Sequence, residues 1–239
     1  RDVAPSRGLG DVYKRQGKDS TATLQLVWLA LAALPREQVN KTVHIINTDT
    51  MVESPVISKW VQTSLKRMDE AAVEQGLPFV THRLTPAMDN TFWVNFLGRG
   101  YPFPRKKLRW CTDRLKIQPV NTFVRDQIAE HGEIIMAIGT RKAESARRAK
   151  TMAYYEKKRV RELLSPNQAM VNELVFSPLE DWNDNDVWVF LMQYQNPWGY
   201  SNKELLTLYK GATADNECPM MVELSLIHIS EPTRRSYIS

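Results

Sequence analysis

A lysine, an aspartate and a serine follow a glycine where a helix is predicted to begin: Gly17, Lys18, Asp19 and Ser20. The next residues are rich in alanine and leucine and end before Pro35, which predicts a helix up to Leu34. Backbone N–H groups at a helix N-terminus, beside a cation and a small hydroxyl, suit the oxygens of a phosphate chain. The tetrapeptide is not a Walker A motif, because an aspartate follows the lysine where serine or threonine is required. So short a motif also fits an ordinary helix start.

Further polar side chains follow a β-branched run at residues 43–47, which predicts a buried strand. They are Asp49, Thr50 and, a little later, Glu53. Acids at the carboxyl end of a parallel strand face the crevice where open α/β sheets bind ligands. These residues are therefore candidates for contacts with a metal ion or a ribose. Glu53 also fits a simpler role, in the cap of the helix that is predicted to begin at Ser54.

Positive charge is concentrated in two stretches of the chain. Residues 99–116 and 141–162 each carry a net charge of +6 in a protein whose total is +5, so the remaining residues sum to −7. Such focusing suits a polyanion or a phosphorylated ligand, although charge runs are also typical of solvated helix faces. The candidate anion-binding residues of the first stretch are Lys107, Arg109, Arg114 and Lys116.

The second basic stretch begins where a predicted strand, residues 133–138, ends at Gly139. It presents a set of cations at a second crevice edge: Arg141, Lys142, Arg147 and Arg148. The fork of an arginine matches phosphate oxygens in a bidentate manner, so this set predicts an anion clamp. Glu144 and Ser145 are expected to orient it.

Elements that would position these residues alternate along the chain. Strands are predicted at 42–47, 79–84, 133–138 and 174–177, and helices at 19–34, 55–75, 90–97, 112–130 (interrupted at Pro119), 183–194 and after Ser201. This order predicts an α/β fold with a mostly parallel sheet and helices on both faces. The length of 239 residues, with 43% hydrophobic and 25% charged residues, suits one globular domain and excludes a disordered chain.

Composition also indicates in which cellular compartment the protein is expected. The longest apolar run, residues 26–34, is far shorter than the roughly 20 residues that a membrane span needs. No charged segment followed by an apolar stretch opens the chain, so no secretory signal is predicted. Two cysteines cannot form a disulfide scaffold. We therefore expect a cytoplasmic protein with no membrane contact.

Both ends of the chain differ in character from the segments that they adjoin. Residues 11–16 and 224–235 resemble translated sequencing-adapter fragments. We therefore expect residues 1–16 and 224–239 to be foreign to the natural protein and residues 17–223 to form one domain, truncated at both ends.

The ordered set of motifs resembles the PP-loop ATP pyrophosphatase superfamily, in its phosphoadenylyl-sulfate (PAPS) reductase branch. That family's loop usually reads Ser-Gly-Gly-Lys-Asp-Ser, and here Arg15-Gln16 replace the first Ser-Gly. Within the branch, the resemblance is greatest to DNA phosphorothioation proteins of the DndC type and covers residues 17–223. It rests on segments 47–53, 107–116, 139–148, 177–182 and 186–188.

The resemblance implies an adenine nucleotide alpha hydrolase-like fold and cleavage of ATP, with Mg²⁺, into AMP and pyrophosphate. It implies catalytic roles for Lys18, Asp19 and Arg141. Residues 17–20, Asp49, Thr50 and Glu53 would bind ATP and its metal. The basic residues and Ser145 would hold a phosphate of the nucleotide or of DNA. DNA, a cysteine desulfurase and other DNA sulfur-modification proteins are the implied partners.

Proteins of the DndC type are also associated with a 4Fe-4S cluster, which needs four thiolates. Cys218 stands where their cluster-binding region begins and is a candidate ligand, while Cys111 is expected to be structural. The two cysteines of this chain cannot complete such a site.

Two other functions remain open from the sequence. One is a PAPS or adenylyl-sulfate reductase of sulfate assimilation, although the chain has no Glu-Cys-Gly-Leu-His motif to supply that family's catalytic thiol. The other is a nucleic-acid-binding subunit that keeps the fold without consuming ATP, for which the two cationic stretches alone would suffice.

Overall fold

The computed structural model describes residues 17–105 and 108–210. Its α-helices are α1 (Lys18–Ala32), α2 (Pro55–Gln75), α3 (Trp110–Thr112), α4 (Gln118–His131), α5 (Ala146–Glu156), α6 (Asp184–Gln193) and α7 (Asn202–Lys210). Its strands are β1 (Val43–Thr48), β2 (Phe79–Leu84), β3 (Ile134–Ala137), β4 (Leu164–Pro166) and β5 (Glu173–Phe176). Shorter 3₁₀-helices cover Arg36–Gln38, Met88–Asn90 and Lys142–Glu144, and π-helical turns cover Val94–Gly98 and Asp113–Ile117. None of these helices is long and apolar enough to cross a membrane.

Parallel pairing dominates the sheets, as the sequence predicts. β1 pairs with β2 from Val43 opposite Phe79 onward, and β3 pairs with β5 from Ile134 opposite Glu173 onward. The α/β class is therefore confirmed. Two details differ from prediction: β4 adds an antiparallel edge to β5, and the described strands form two sheets, β1–β2 and β3–β5–β4, instead of one.

Helices cover both faces of the β1–β2 pair because alternate side chains of a strand point to opposite faces. On one face, Ile45 and Phe79 pack with Trp28 of α1 and with α2. On the other face, Ile46 packs with Val120 of α4. The predicted two-sided arrangement is thus confirmed.

A cavity of about 770 Å³ lies between β1 and β3. Its lining includes residues 43–47 of β1, residues 134–137 of β3, and side chains of α1 and α4. β1 and β3 each have one edge that is not paired with another described strand. Both of these edges therefore border the same cavity. This space lies between the two sheets of the described residues.

Helix ends follow local sequence signals. The Ser54 hydroxyl accepts a hydrogen bond from the Ile57 N–H and caps α2, which ends at Gly76 in the left-handed conformation (φ 63°). The α-helix predicted over 112–130 is interrupted just before Pro119 by the π-helical turn Asp113–Ile117, and the proline lies in the first turn of α4. Helix α5 was not predicted at all. Ser145 begins it by accepting a hydrogen bond from the Arg148 N–H.

Candidate functional site

The start of α1 lies directly against the segment that follows β3. A Cβ atom placed on Gly139 would stand 2.8 Å from the carbonyl carbon and oxygen of Asp19 and 3.1 Å from the Thr23 hydroxyl oxygen. Only a residue without a side chain allows two backbones to approach so closely. The glycine thus brings Arg141, two residues later, beside the first turn of α1.

Four charged side chains meet at this point, and we call them the ionic cluster: Lys18, Asp19, Arg141 and Asp184. One oxygen of Asp184 lies 2.6 Å from Lys18 Nζ and 3.1 Å from Arg141 Nη2. Asp19 contacts the same two cations, at 3.3 Å from Lys18 Nζ and 2.8 Å from Arg141 Nε. The Nε contact is an ion pair without hydrogen-bond geometry.

The cations of the ionic cluster are buried and one of its acids is not. The side chains of Lys18 and Arg141 are 9% and 4% exposed, whereas that of Asp184 is 67% exposed. Burial tends to raise the pKa of the Asp184 carboxyl. The hydrogen bond from Lys18 and the charges of both cations outweigh that tendency, and the pKa lies below its ordinary value. Asp184 therefore stays ionised at neutral pH and closes the two cations off from solvent.

Apolar packing places Asp184 in the ionic cluster. Helix α6 packs against α1 through Val187 and Leu191, which share a core with Ala22. Asn183 caps α6, so Asp184 is the first residue of the helix and faces the start of α1. Asp184 is a site residue that the sequence analysis missed.

Backbone contacts hold Arg141 in place. The Glu144 carboxylate accepts a hydrogen bond from the Arg141 N–H at 3.0 Å, as expected for a residue that orients the segment. The Lys142 N–H donates to the carbonyl of Glu180 at 2.8 Å. The Thr140 and Ser177 hydroxyls lie 3.1 Å apart. Hydrogen bonds thus connect residues 139–144 to residues 177–182.

The first turn of α1 offers backbone donors beside the two cations. Gly17 precedes the helix, in extended conformation, and has no side chain that could accept from the first N–H groups. Ser20 lies in the same turn and is half-buried. A helix start beside Lys18 and Arg141 matches the donor set that phosphate oxygens need.

The predicted acidic residues after β1 do not belong to the ionic cluster. Asp49 forms an ion pair with Arg83 of β2 and accepts a hydrogen bond from the Met51 N–H. Thr50 is buried and Glu53 is half-buried. Asp49 follows the end of β1 closely, and Asn47 of that strand borders the central cavity together with Ser20. The contacts made by Asp49 hold it to β2.

The second basic stretch does not converge on one point, in contrast to the predicted clamp. Lys142 turns to Asp181 and Glu156, at 2.7 and 3.3 Å. Arg148 pairs with Glu144 one helical turn away, at 3.1 Å. Arg147 is exposed on α5, and Ser145 caps that helix. Only Arg141 of the predicted set joins Lys18, because Lys142 is paired with other acids and the remaining arginines lie on α5.

The first basic stretch contributes to a different part of the molecule. Arg114 donates hydrogen bonds to Asn90 at 3.0 Å and to the Tyr101 hydroxyl at 2.7 Å, and it lies over the Tyr101 ring. Lys116 is buried and Arg109 is exposed. Lys107 lies outside the described residues.

The described residues contain no set of side chains that is arranged to bind the predicted metal ions. Within residues 17–105 and 108–210, no three histidine, cysteine or acidic side chains are grouped to hold a metal ion. Cys111 is buried, Cys218 lies outside the described residues, and the chain has only two cysteines. A 4Fe-4S cluster therefore does not fit this chain. Mg²⁺ is commonly bound through one or two carboxylates and substrate phosphates, so it would enter with a nucleotide.

The fold thus places two buried cations, each paired with carboxylates, beside the first turn of α1. Comparison with protein families is more specific: residues 14–198 match the model of the phosphoadenosine phosphosulfate reductase domain. The chain therefore belongs to this family, which is part of the PP-loop superfamily.

Proteins that are similar to this chain include the following two. It is 24% identical over 182 residues to an uncharacterized protein of Methanocaldococcus jannaschii, a match that covers 76% of this chain. The chain spans only about a third of that relative's length, 31%. It is also similar to the crystal structure of PAPS reductase from Candida auris in a phosphate complex, with 12% identity and a TM-score of 0.44 over 89% of this chain and 81% of that one.

Substitution of Gly139 tests the close approach of the two backbones. We expect Gly139→Ala to push α1 away from the end of β3, because its Cβ would meet the Asp19 backbone at 2.8 Å. The free energy of unfolding should fall by about 1–3 kcal/mol, and the affinity for inorganic pyrophosphate should fall by about tenfold or more. Gly98→Ala, with no atom within 4 Å of its Cβ, is the matched control. Calorimetric titration and thermal denaturation measure both effects; equal behaviour of the two variants would contradict this description.

Proposed function

We propose that this chain is the catalytic domain of an ATP pyrophosphatase that acts in DNA phosphorothioation. It would cleave ATP between the α and β phosphates to yield AMP and pyrophosphate. The observation that carries the proposal is the convergence of buried Lys18 and Arg141 beside the first turn of α1. Family membership and the resemblance of the long motifs support it further.

The ionic cluster supplies what this cleavage requires. A water molecule attacks the α-phosphorus and its oxygen stays on the AMP. As that bond forms, the bond between the α-phosphorus and the bridging oxygen breaks, the departing pyrophosphate takes the electron pair, and the proton of the water passes to solvent. Catalysis of such a step is mostly positioning and stabilisation of negative charge. Lys18 and Arg141 would lie against the β and γ phosphates, with the N–H groups of the first turn of α1. Asp19, which contacts both cations, would hold them in position.

A DNA partner is supported by the charge that surrounds the site. Helix α5 begins five residues after Arg141 and carries exposed Arg147 and Lys150. A basic helix next to a nucleotide site could lie along a phosphate backbone, where each cation releases counterions. A cysteine desulfurase and other DNA sulfur-modification proteins would supply the sulfur.

Reduction of PAPS to sulfite is the second candidate function. The family description favours it, since the model that matches residues 14–198 carries the name of that reaction. The nucleotide of PAPS is also anionic and would fit the same two cations. Production of sulfite from PAPS with a thiol reductant separates this activity from cleavage of ATP.

Alanine substitution at the helix start tests the proposed function. In the full-length protein, we expect Lys18→Ala and Asp19→Ala each to lower pyrophosphate release from ATP by about a hundredfold or more, because the first removes and the second misplaces a cation at the departing phosphates. Lys66→Ala, on the exposed face of α2, is the control for Lys18→Ala with the same loss of positive charge. Release should be measured with and without DNA, beside sulfite formation from PAPS.

Each outcome of this experiment has a clear meaning. Loss of pyrophosphate release in the Lys18 and Asp19 variants, but not in the Lys66 variant, supports the assignment. Sulfite from PAPS without ATP cleavage would establish the reductase instead. DNA binding without either reaction would mean a binding subunit. Undiminished pyrophosphate release from the Lys18 variant would reject the assigned site.

A further inference from the structure

In the ionic cluster, the two most buried side chains are positively charged and the most exposed side chain is negatively charged. Lys18 and Arg141 lie beneath the surface, and the exposed carboxylate of Asp184 lies on the solvent side of both. Of the four side chains, Asp184 is therefore the one that a ligand approaching from solvent contacts most readily. With Asp19 included, the four charges sum to zero, so the cluster as a whole offers no net attraction to an anion.

The contacts of Asp184 are those that a phosphate oxygen would make. A single carboxylate oxygen bridges Lys18 Nζ at 2.6 Å and Arg141 Nη2 at 3.1 Å. Two donors from separate chain segments on one oxygen are a common arrangement around bound phosphate. The other acid of the cluster, Asp19, contacts the cations from the α1 side and is less exposed than Asp184.

We propose that Asp184 is a specificity-determining residue that takes the place of a phosphate oxygen, excludes singly charged anions from Lys18 and Arg141, and yields to phosphate groups with two or more negative charges. The inference rests on the proposed function, in that it takes these two cations as the phosphate-binding residues.

Two properties of Asp184, its charge and its attachment to the same chain, explain why an anion needs at least two charges to displace it. An anion with one charge brings no more electrostatic attraction than the carboxylate that it must displace. Asp184 also has the advantage of a high effective concentration, because it is attached to the same chain. A phosphate group with two charges, or pyrophosphate with more, gains enough attraction to win this competition. Once displaced, Asp184 meets water instead of protein, because it is mostly exposed.

Removal of the Asp184 charge tests the proposal in the intact protein. The probes are inorganic pyrophosphate and dimethyl phosphate, which carries a single negative charge, and isothermal titration calorimetry gives both dissociation constants. We expect wild-type protein to discriminate strongly against dimethyl phosphate. In Asp184→Asn, the ratio of the two dissociation constants should shrink by about tenfold, which corresponds to removal of about 1.4 kcal/mol of discrimination.

Asp186→Asn is the matched control. Asp186 lies in the same first turn of α6, so its loss changes the net charge and the helix dipole interaction equally. Its carboxylate accepts from the Asn183 N–H at 2.8 Å, a bond that an asparagine oxygen can still accept. The ratio should stay at the wild-type value in this variant. Asp184→Glu, which keeps the charge, should restore most of the discrimination.

Several results would overturn the proposal. If Asp184→Asn raises the dissociation constants of both probes by the same factor, Asp184 only holds Lys18 and Arg141 in position. If Asp186→Asn changes the ratio of the two dissociation constants as much as Asp184→Asn does, the effect comes from the loss of any negative charge near the site and not from Asp184 itself. Failure of wild-type protein and both asparagine variants to bind pyrophosphate would reject the phosphate site itself, and the proposed function with it. An unchanged ratio in a protein that still cleaves ATP would reject only the role of Asp184.

Discussion

Replacement of Arg141 by alanine is expected to lower the rate of pyrophosphate release from ATP by about a hundred- to a thousandfold. Arg141 is the most buried member of the ionic cluster and contacts both of its acids. Its loss removes a cation from the place where negative charge develops. It also leaves Asp19 and Asp184 with Lys18 as their remaining shared cation, so an incoming phosphate would meet net negative charge.

A lysine at this position should restore only part of the activity. Lysine keeps the positive charge but lacks the planar fork that lets Arg141 contact Asp19 through Nε and Asp184 through Nη2. We expect Arg141→Lys to fall between the wild type and the alanine variant in the rate at saturating ATP. Steady-state kinetics with a coupled pyrophosphate assay gives these rates.

Arg125→Ala, at an exposed position of α4, controls for the loss of one positive charge. Thermal denaturation of each variant separates lost catalysis from lost folding. Rates within about twofold of wild type in a folded Arg141→Ala protein would show that Arg141 does not act on the phosphates.

The second large effect is expected at Glu173, in the centre of the three-stranded sheet. Its side chain is 1% exposed, and neither carboxylate oxygen has a hydrogen-bond partner. Burial raises the pKa of this carboxyl to about 7, although the nearby Asn167 amide acts in the opposite direction. Glu173 lies opposite Ile134 of β3, outside the ionic cluster, so its effect should be on stability.

The direction of the pH dependence follows from the raised pKa. Below the unfolded-state value of 4.5, Glu173 is protonated in both the folded and the unfolded protein. Between that value and about 7, the folded protein binds more protons than the unfolded one, so stability falls as the pH rises. Above about 7 the full cost of the buried charge is present, about 3 kcal/mol from a shift of this size.

Glu173→Gln should therefore raise the free energy of unfolding by about 3 kcal/mol at pH 8 and change it little near pH 4.5. Urea denaturation across this pH range measures the difference. Glu74→Gln, on the exposed surface of α2, is the control. A difference between Glu173→Gln and wild type that is independent of pH would contradict the buried-charge explanation.

Local signals in the sequence were sufficient to predict most of the elements. The boundaries of β1 and β2 and the capped start of α2 depend on short-range patterns, and the structure follows them. The division into two sheets could not be predicted, because strand order and the space between β1 and β3 depend on long-range packing. Helix α5 was not predicted, because its basic residues were interpreted as an anion clamp at the end of a strand.

The site was predictable to the extent that its residues lie near one another in sequence or follow a known motif. Lys18 and Asp19 came from the helix start, and Arg141 from the glycine that ends a strand. Asp184 has no such signal, since an acid in the first turn of a predicted helix is explained by the helix dipole alone. Its meeting with Lys18 depends on the packing of α6 against α1, for which the sequence carries no local signal.

Product analysis with ATP labelled at the α phosphate tests the central claim most directly. If Lys18 and Arg141 bind the β and γ phosphates at the start of α1, the full-length wild-type protein should turn the label into AMP and release unlabelled pyrophosphate. The Lys18→Ala and Arg141→Ala variants should leave the labelled ATP almost intact. Labelled ADP as the product, or equal amounts of AMP from wild type and both variants, would contradict the account.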